Sequence, residues 1–168
     1  MSKAAEYAER LEEVVKDAVL RTVAEFKRRH PREHMNGYAL LTDDGLGTLG
    51  HVACSKEFIA SESEPDTLFL PVDWAYDDGV KAFDRQARPL LVSHADACEG
   101  GEFLAHIDDS FNALVSALMS LRGDGVFGAD VFLSVGSTDP SDRLERLEEN
   151  AVRALNSDAV YRAWKNTR

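Results

Sequence analysis

Cysteine is scarce in this sequence. Two residues of 168, Cys54 and Cys98, carry a thiol, and neither lies in a paired C-x-x-C spacing. Two isolated thiols do not make a disulfide framework and fit a reducing compartment. Long apolar runs are missing as well. A membrane span needs about eighteen or more apolar residues in succession, whereas stretches such as Leu68 to Pro71 are strand-sized. The first residues, Met1 to Glu6, lack the apolar core of a secretory signal. These absences lead to the expectation of a cytoplasmic protein that does not associate with membranes.

Basic residues are scarce in one region only. Residues 35–110 hold fifteen acids against four Lys/Arg, while residues 1–34 hold seven against eight and residues 111–168 hold eight against seven. The whole formal charge of −11 therefore arises in the middle of the chain. Nucleic acid is not an expected partner, because its phosphates need Lys and Arg. Anionic membrane surfaces are disfavoured for the same reason. An acidic surface either steers a basic protein partner or serves solubility. A hydrophobic fraction of 44% supplies enough apolar residues for a core, so the chain is expected to fold as one domain.

What is present is mostly helical periodicity. Tyr7, Leu11, Val14, Val15, Ala18, Val19, Val23 and Phe26 recur at three- and four-residue spacing, which predicts a helix over 3–29. His30-Pro31 stops it. Residues 37–43 and 48–54 read as two strands of an antiparallel hairpin around the Asp43-Asp44-Gly45 turn. A short helix follows over 55–63, with Ser55 as its N-cap. Residues 80–98 read as mostly helical, broken or kinked at Pro89. A second long helix is expected over 102–122, and a third strand over 131–135. Asp139-Pro140 reads as the cap and first position of another helix. Asn156-Ser157 then interrupts before a last short helix. The pattern predicts an α+β fold: a small, mainly antiparallel sheet covered by several helices in a single domain.

No catalytic constellation is assembled in the sequence. His51 and Cys54 are three apart, and in a strand they point to opposite faces. His94 and Cys98 are spaced i, i+4, and His106 and Asp109 are spaced i, i+3. A metal site is conceivable there together with Asp96, Glu99 and Asp108. No HExxH, CxxC or His-x-His pattern anchors it, so the set reads first as a solvated acidic helix face. Gly45-Leu46-Gly47-Thr48-Leu49-Gly50 matches GxGxxG in letters, but a strand rather than a helix follows, so the glycines belong to a hairpin loop. Gly136-Ser137-Thr138 precedes a helix, yet Asp139 would oppose an anion there. Trp74 and Tyr76 sit among Asp73, Asp77 and Asp78. This is either an aromatic interface anchor in an acidic loop or core packing with a charged collar.

Several segments in order carry a family resemblance. They are Gly37-Tyr38-Ala39-Leu40-Leu41-Thr42-Asp43-Asp44, Val72-Asp73-Trp74-Ala75-Tyr76, Phe83-Asp84, Gly125-Val126-Phe127-Gly128, Val131-Phe132-Leu133-Ser134-Val135 and Ala154-Leu155-Asn156. Together with the long first helix they span roughly residues 5–165, and the chain resembles the bacterial domain of unknown function 4303 family. An Arg-Trp element often found before the Trp-Ala-Tyr segment is replaced here by Leu68-Phe69-Leu70-Pro71, and Ser157 stands where a proline is common. The resemblance implies a small bacterial cytosolic domain near polymorphic toxin systems, for which an immunity role has been proposed. It brings no catalytic residues.

The resulting expectation is an acidic interaction protein that binds and neutralises a basic toxin domain. Asp43, Asp44, Asp73, Trp74, Tyr76, Asp77 and Asp78 are the expected partner-binding residues. No catalytic residue, metal or cofactor is expected, and no sequence feature sets an oligomeric state. The alternatives are a small metal-dependent or Cys/His hydrolase using His94, Cys98 and His106, and an adaptor module for a ligand or peptide.

Overall fold

The computed structural model describes residues 3–64, 66–77, 81–139 and 141–168. Helix α1 spans Lys3–Arg29 and buries the stripe from Tyr7 to Phe26 that its periodicity marks. Strands β1 (Met35–Thr42) and β2 (Leu49–Ser55) form the hairpin. Helix α2 (Lys56–Ser61) follows, and the Ser55 hydroxyl caps it by accepting the Phe58 N–H. Two short 3-10 turns, Thr67–Phe69 and Pro71–Asp73, lead to helix α3 (Ala87–Asp96) and the long α4 (Glu102–Gly123). Strand β3 (Phe132–Ser137), α5 (Asp142–Leu155) and α6 (Asp158–Lys165) complete the chain. The fold class is α+β.

The strand order is β2-β1-β3, with β1 antiparallel to β2 and parallel to β3. The sheet is therefore mixed rather than mainly antiparallel. A hairpin forces antiparallel pairing, whereas the long connection through α3 and α4 lets β3 return in the same direction as β1. Central β1 buries both faces. Tyr38 and Leu40 join the core formed with α1 and α4, while Ala39 faces a second cluster of Cys54, Trp74, Phe132, Val152 and Trp164.

Two helix starts differ from the sequence expectation. Residues 81–86 are turns, and Pro89 occupies the first turn of α3 instead of kinking a longer helix. The first-turn N–H groups have no intrahelical acceptor, so proline costs little there. Helix α5 is capped by Ser141, whose hydroxyl accepts the Leu144 N–H, and not by Asp139. The Thr138 N–H donates to the Thr42 carbonyl, which carries the pairing with β1 one residue beyond the end of β3. Pro140 lies outside the described residues.

Two polar side chains close the outer side of β3. The Asn156 side chain exchanges hydrogen bonds with the backbone of Leu133, accepting its N–H at 3.0 Å and donating to its carbonyl at 2.7 Å. The Arg122 guanidinium, at the end of α4, donates to the carbonyls of Leu155 and Val131. Arg122 thus joins the ends of α4 and α5 to the start of β3.

Candidate functional site

Part of the acidic middle of the chain forms a connection whose described acids are exposed. Between Glu57 and Asp77 the residues Glu57, Glu62, Glu64, Asp66, Asp73 and Asp77 are all exposed, and no Lys or Arg interrupts them. The connection runs from α2 back to the edge strand β2, where Tyr76 and Ala53 exchange backbone hydrogen bonds. Leu70 and Val72 are exposed on it, at 37% and 67%. Acids from the β1–β2 loop lie outside this connection. Asp44 is exposed, and Asp43 is partly spent on its own turn, accepting the Gly47 N–H at 2.7 Å.

Trp74 is not a surface anchor. Trp74 is only 6% exposed, packs edge-on against Phe132 and donates its indole N–H to the Thr67 carbonyl at 2.9 Å. An indole inside the core cannot fill a partner's pocket, so the core-packing alternative holds for Trp74. Tyr76 is half-buried, and its hydroxyl donates to the Glu33 carboxylate. Hydrogen bonds from Ser55 and then Tyr76 hold the Glu33 carboxyl below its ordinary value. Asp78 lies outside the described residues.

His51 and Cys54 lie on opposite sheet faces. His51 is buried and stacks on Tyr38 with ring centroids 5.6 Å apart, while Cys54 sits in the second cluster with Trp74. Burial pushes the Cys54 thiol up to about 12. That pair forms no site.

His94, Cys98 and His106 do come together. Helix α3 brings His94, and the turn after it brings Cys98. Helix α4 sets His106 within reach of both His94 and Ser110. Nδ1 of His94 lies 2.9 Å from Nδ1 of His106, and the Cys98 Sγ lies 4.0 Å from His94 Nδ1. The Tyr7 ring of α1 stacks on His94 with centroids 3.6 Å apart, and its hydroxyl lies 2.7 Å from Ser110 Oγ. Ser110 Oγ lies in turn 3.2 Å from His106 Nδ1. The group opens on a cleft of about 550 Å³ lined also by Lys3, Glu102 and Asp109.

The electrostatics of this group follow from burial. Burial, and then the neighbouring His94, holds His106 below its ordinary value and so favours the neutral ring. Burial, and then the Glu102 carboxylate, pushes the Cys98 thiol up. Burial takes the Tyr7 phenol up to about 12. A thiol shifted in that direction is protonated at neutral pH and is not a ready nucleophile. Of the other acids near it in sequence, Asp108 pairs with Arg143 of α5, while Asp96 and Glu99 are exposed. The i, i+4 spacing signals only the His94–Cys98 half. Tyr7, Ser110, Lys3 and Glu102 carry no sequence signal of membership, because only helix packing places them here.

A family model described as "Domain of unknown function (DUF4303)" matches residues 15–157. The chain belongs to the DUF4303 family. No curated protein and no solved structure matches it. The match to DUF4303 runs from the middle of α1 through β3 and α5 to Ser157, so it covers the sheet, the acidic connection and the His94–Cys98–His106 group. No helix among the described residues is long and apolar enough to cross a membrane.

Proposed function

We propose that this chain is a cytoplasmic interaction protein, an immunity protein that binds and neutralises a basic toxin domain through its Glu57–Asp77 face. The carrying observation is the composition of that face: six exposed carboxylates, no Lys or Arg, and the exposed apolar side chains of Leu70 and Val72. Protein interfaces combine an apolar centre with a polar rim. Here Leu70 and Val72 supply the centre, in the role that a buried Trp74 does not fill. The carboxylates supply the rim and attract a positively charged partner. Asp43 and Asp44 extend the same sign of charge from the hairpin loop. Many proteins that cleave nucleic acid need a basic surface for the phosphates, and an acidic partner can cover such a surface.

The test is co-expression and pull-down with the product of the gene adjacent to this one. Binding and restored growth are expected. Charge reversal by Glu64→Lys with Asp73→Lys should slow association at low salt by roughly tenfold or more, because rim charges act mainly on the association rate. Failure both to bind that product and to restore growth would remove the reading.

A further inference from the structure

His94, Cys98 and His106 carry no role in the toxin-binding reading, and they lie on other elements than its face. His94 stands in the last turn of α3, Cys98 two residues past the end of that helix, and His106 in the second turn of α4. Among the described residues they are the group of His, Cys, Asp or Glu side chains whose potential ligand atoms all approach within 4.8 Å of one another. We propose that these three residues form a zinc(II) site, with two imidazole nitrogens and the Cys98 sulfur in three tetrahedral positions and water in the fourth.

The distances suit that ion. Zn–N bonds of about 2.0–2.1 Å and a Zn–S bond of about 2.3 Å place tetrahedral N···N and N···S pairs about 3.3 Å and about 3.6 Å apart. The observed 2.9 Å between the two Nδ1 atoms and 4.0 Å between Sγ and His94 Nδ1 lie within a few tenths of an ångström of these values. The donor set is selective. Imidazole and thiolate suit zinc, whereas magnesium and calcium take oxygen ligands.

Within the protein the Cys98 thiol donates to the His94 carbonyl at 3.2 Å, and the two imidazole nitrogens facing each other at 2.9 Å share at most one proton. An ion between the three side chains replaces that shared proton and the thiol proton. The stack of Tyr7 on His94 fixes that ring. Such outer contacts orient metal-bound histidines.

The charge of the cleft points the same way. Glu102 and Asp109 line it beside the ligands, with Lys3 as the cation. Metal binding transfers the Cys98 thiol proton to solvent, and the resulting thiolate with the two carboxylates then exceeds the single ammonium. A divalent ion neutralises the excess. The ion would also tie α3 to α4, and α3 is otherwise held by a core contribution of Ala87 and Leu91.

The experiment uses the full chain, purified under reducing conditions, treated with chelator and titrated with zinc chloride against a chromophoric chelator. Cobalt(II) serves as the spectroscopic probe. One zinc per chain is expected, and the cobalt form should show tetrahedral d–d absorption with a sulfur-to-cobalt charge-transfer band. Cys98→Ser should remove that band and weaken zinc binding by about tenfold or more. His94→Gln should weaken zinc binding comparably while retaining sulfur charge transfer in any cobalt complex that forms. Both positions are only half-buried, so far-UV circular dichroism should show both variants folded. A wild-type chain that takes up no zinc, or zinc affinity unchanged in both variants, overturns the site. Neither result bears on toxin binding, which is read separately by pull-down.

Discussion

The indole of Trp74 lies directly on Gly37 of β1. A Cβ at position 37 would sit 2.5 Å from Cη2 and 2.7 Å from Cζ2 of that ring, and 2.8 Å from the Cys54 sulfur. No rotamer change of a methyl group relieves such a contact, so the ring or the strand must move. Gly37→Ala should therefore destabilise the protein by about 1–3 kcal/mol, the range for overpacked cores. Urea denaturation measures it. In a Trp74→Ala background the cost of Gly37→Ala should fall but not vanish, because the ring is gone while the Cys54 sulfur stays 2.8 Å from the added methyl.

Arg122 makes a comparable prediction through hydrogen bonds. Its guanidinium is held by the Leu155 and Val131 carbonyls, and burial lowers its pKa without removing its charge. Arg122→Met keeps the stem and deletes both donors. A loss of about 1.5–3 kcal/mol is expected, the scale of hydrogen bonds to a charged group. Arg122→Lys should recover only part of it, since one ammonium does not reproduce the two-pronged fork. The denaturant midpoints of the two variants check the order.

Acid should weaken the fold through several hydrogen-bonded carboxylates at once. Glu25 is lowered to about 2 by hydrogen bonds from Arg28 and then Arg29, and Glu57 to about 2 by His34. Glu33 is also lowered, by Ser55 and then Tyr76. A carboxylate whose folded pKa lies below its unfolded value stabilises the protein above that unfolded value. The contribution is lost as pH falls through the folded pKa. Stability contributed by these groups should thus be complete above the ordinary 4.5 and decline from there towards pH 2. Tyr76→Phe should raise the Glu33 titration, read by carbon NMR of its carboxyl group.

The acidic face should be separable from the core. Glu64 and Asp73 are exposed, and reversing their charge should change stability by no more than about 0.5 kcal/mol, as for most surface positions. Trp74→Ala should cost about 3–5 kcal/mol, as for other buried aromatics. Thermal denaturation of the two sets distinguishes a binding defect from a folding defect before any partner is tested.

The parts of the fold legible in the sequence are those governed by neighbours along the chain. The helix from Lys3 to Arg29, the hairpin around Asp43-Asp44-Gly45, the Ser55 cap and the helix from Glu102 follow from periodicity and turn chemistry. The errors have the same explanation in reverse. Pro89 reads as a helix breaker until the start of α3 is known, and Asp139 reads as a cap until Thr138 is seen paired to Thr42. Both depend on where a neighbouring element ends.

By itself the sequence determined an acidic α+β chain, its main helices and the confinement of its charge excess to residues 35–110, because composition and short-range spacing act locally. Tertiary structure alone decided three further matters. It paired β3 parallel to β1, it placed Trp74 over Gly37 inside the core instead of at the surface, and it brought His106 to His94 and Cys98. Each joins residues eight or more apart across a packed interface. Such contacts arise from which faces bury one another, and no spacing along the chain encodes them.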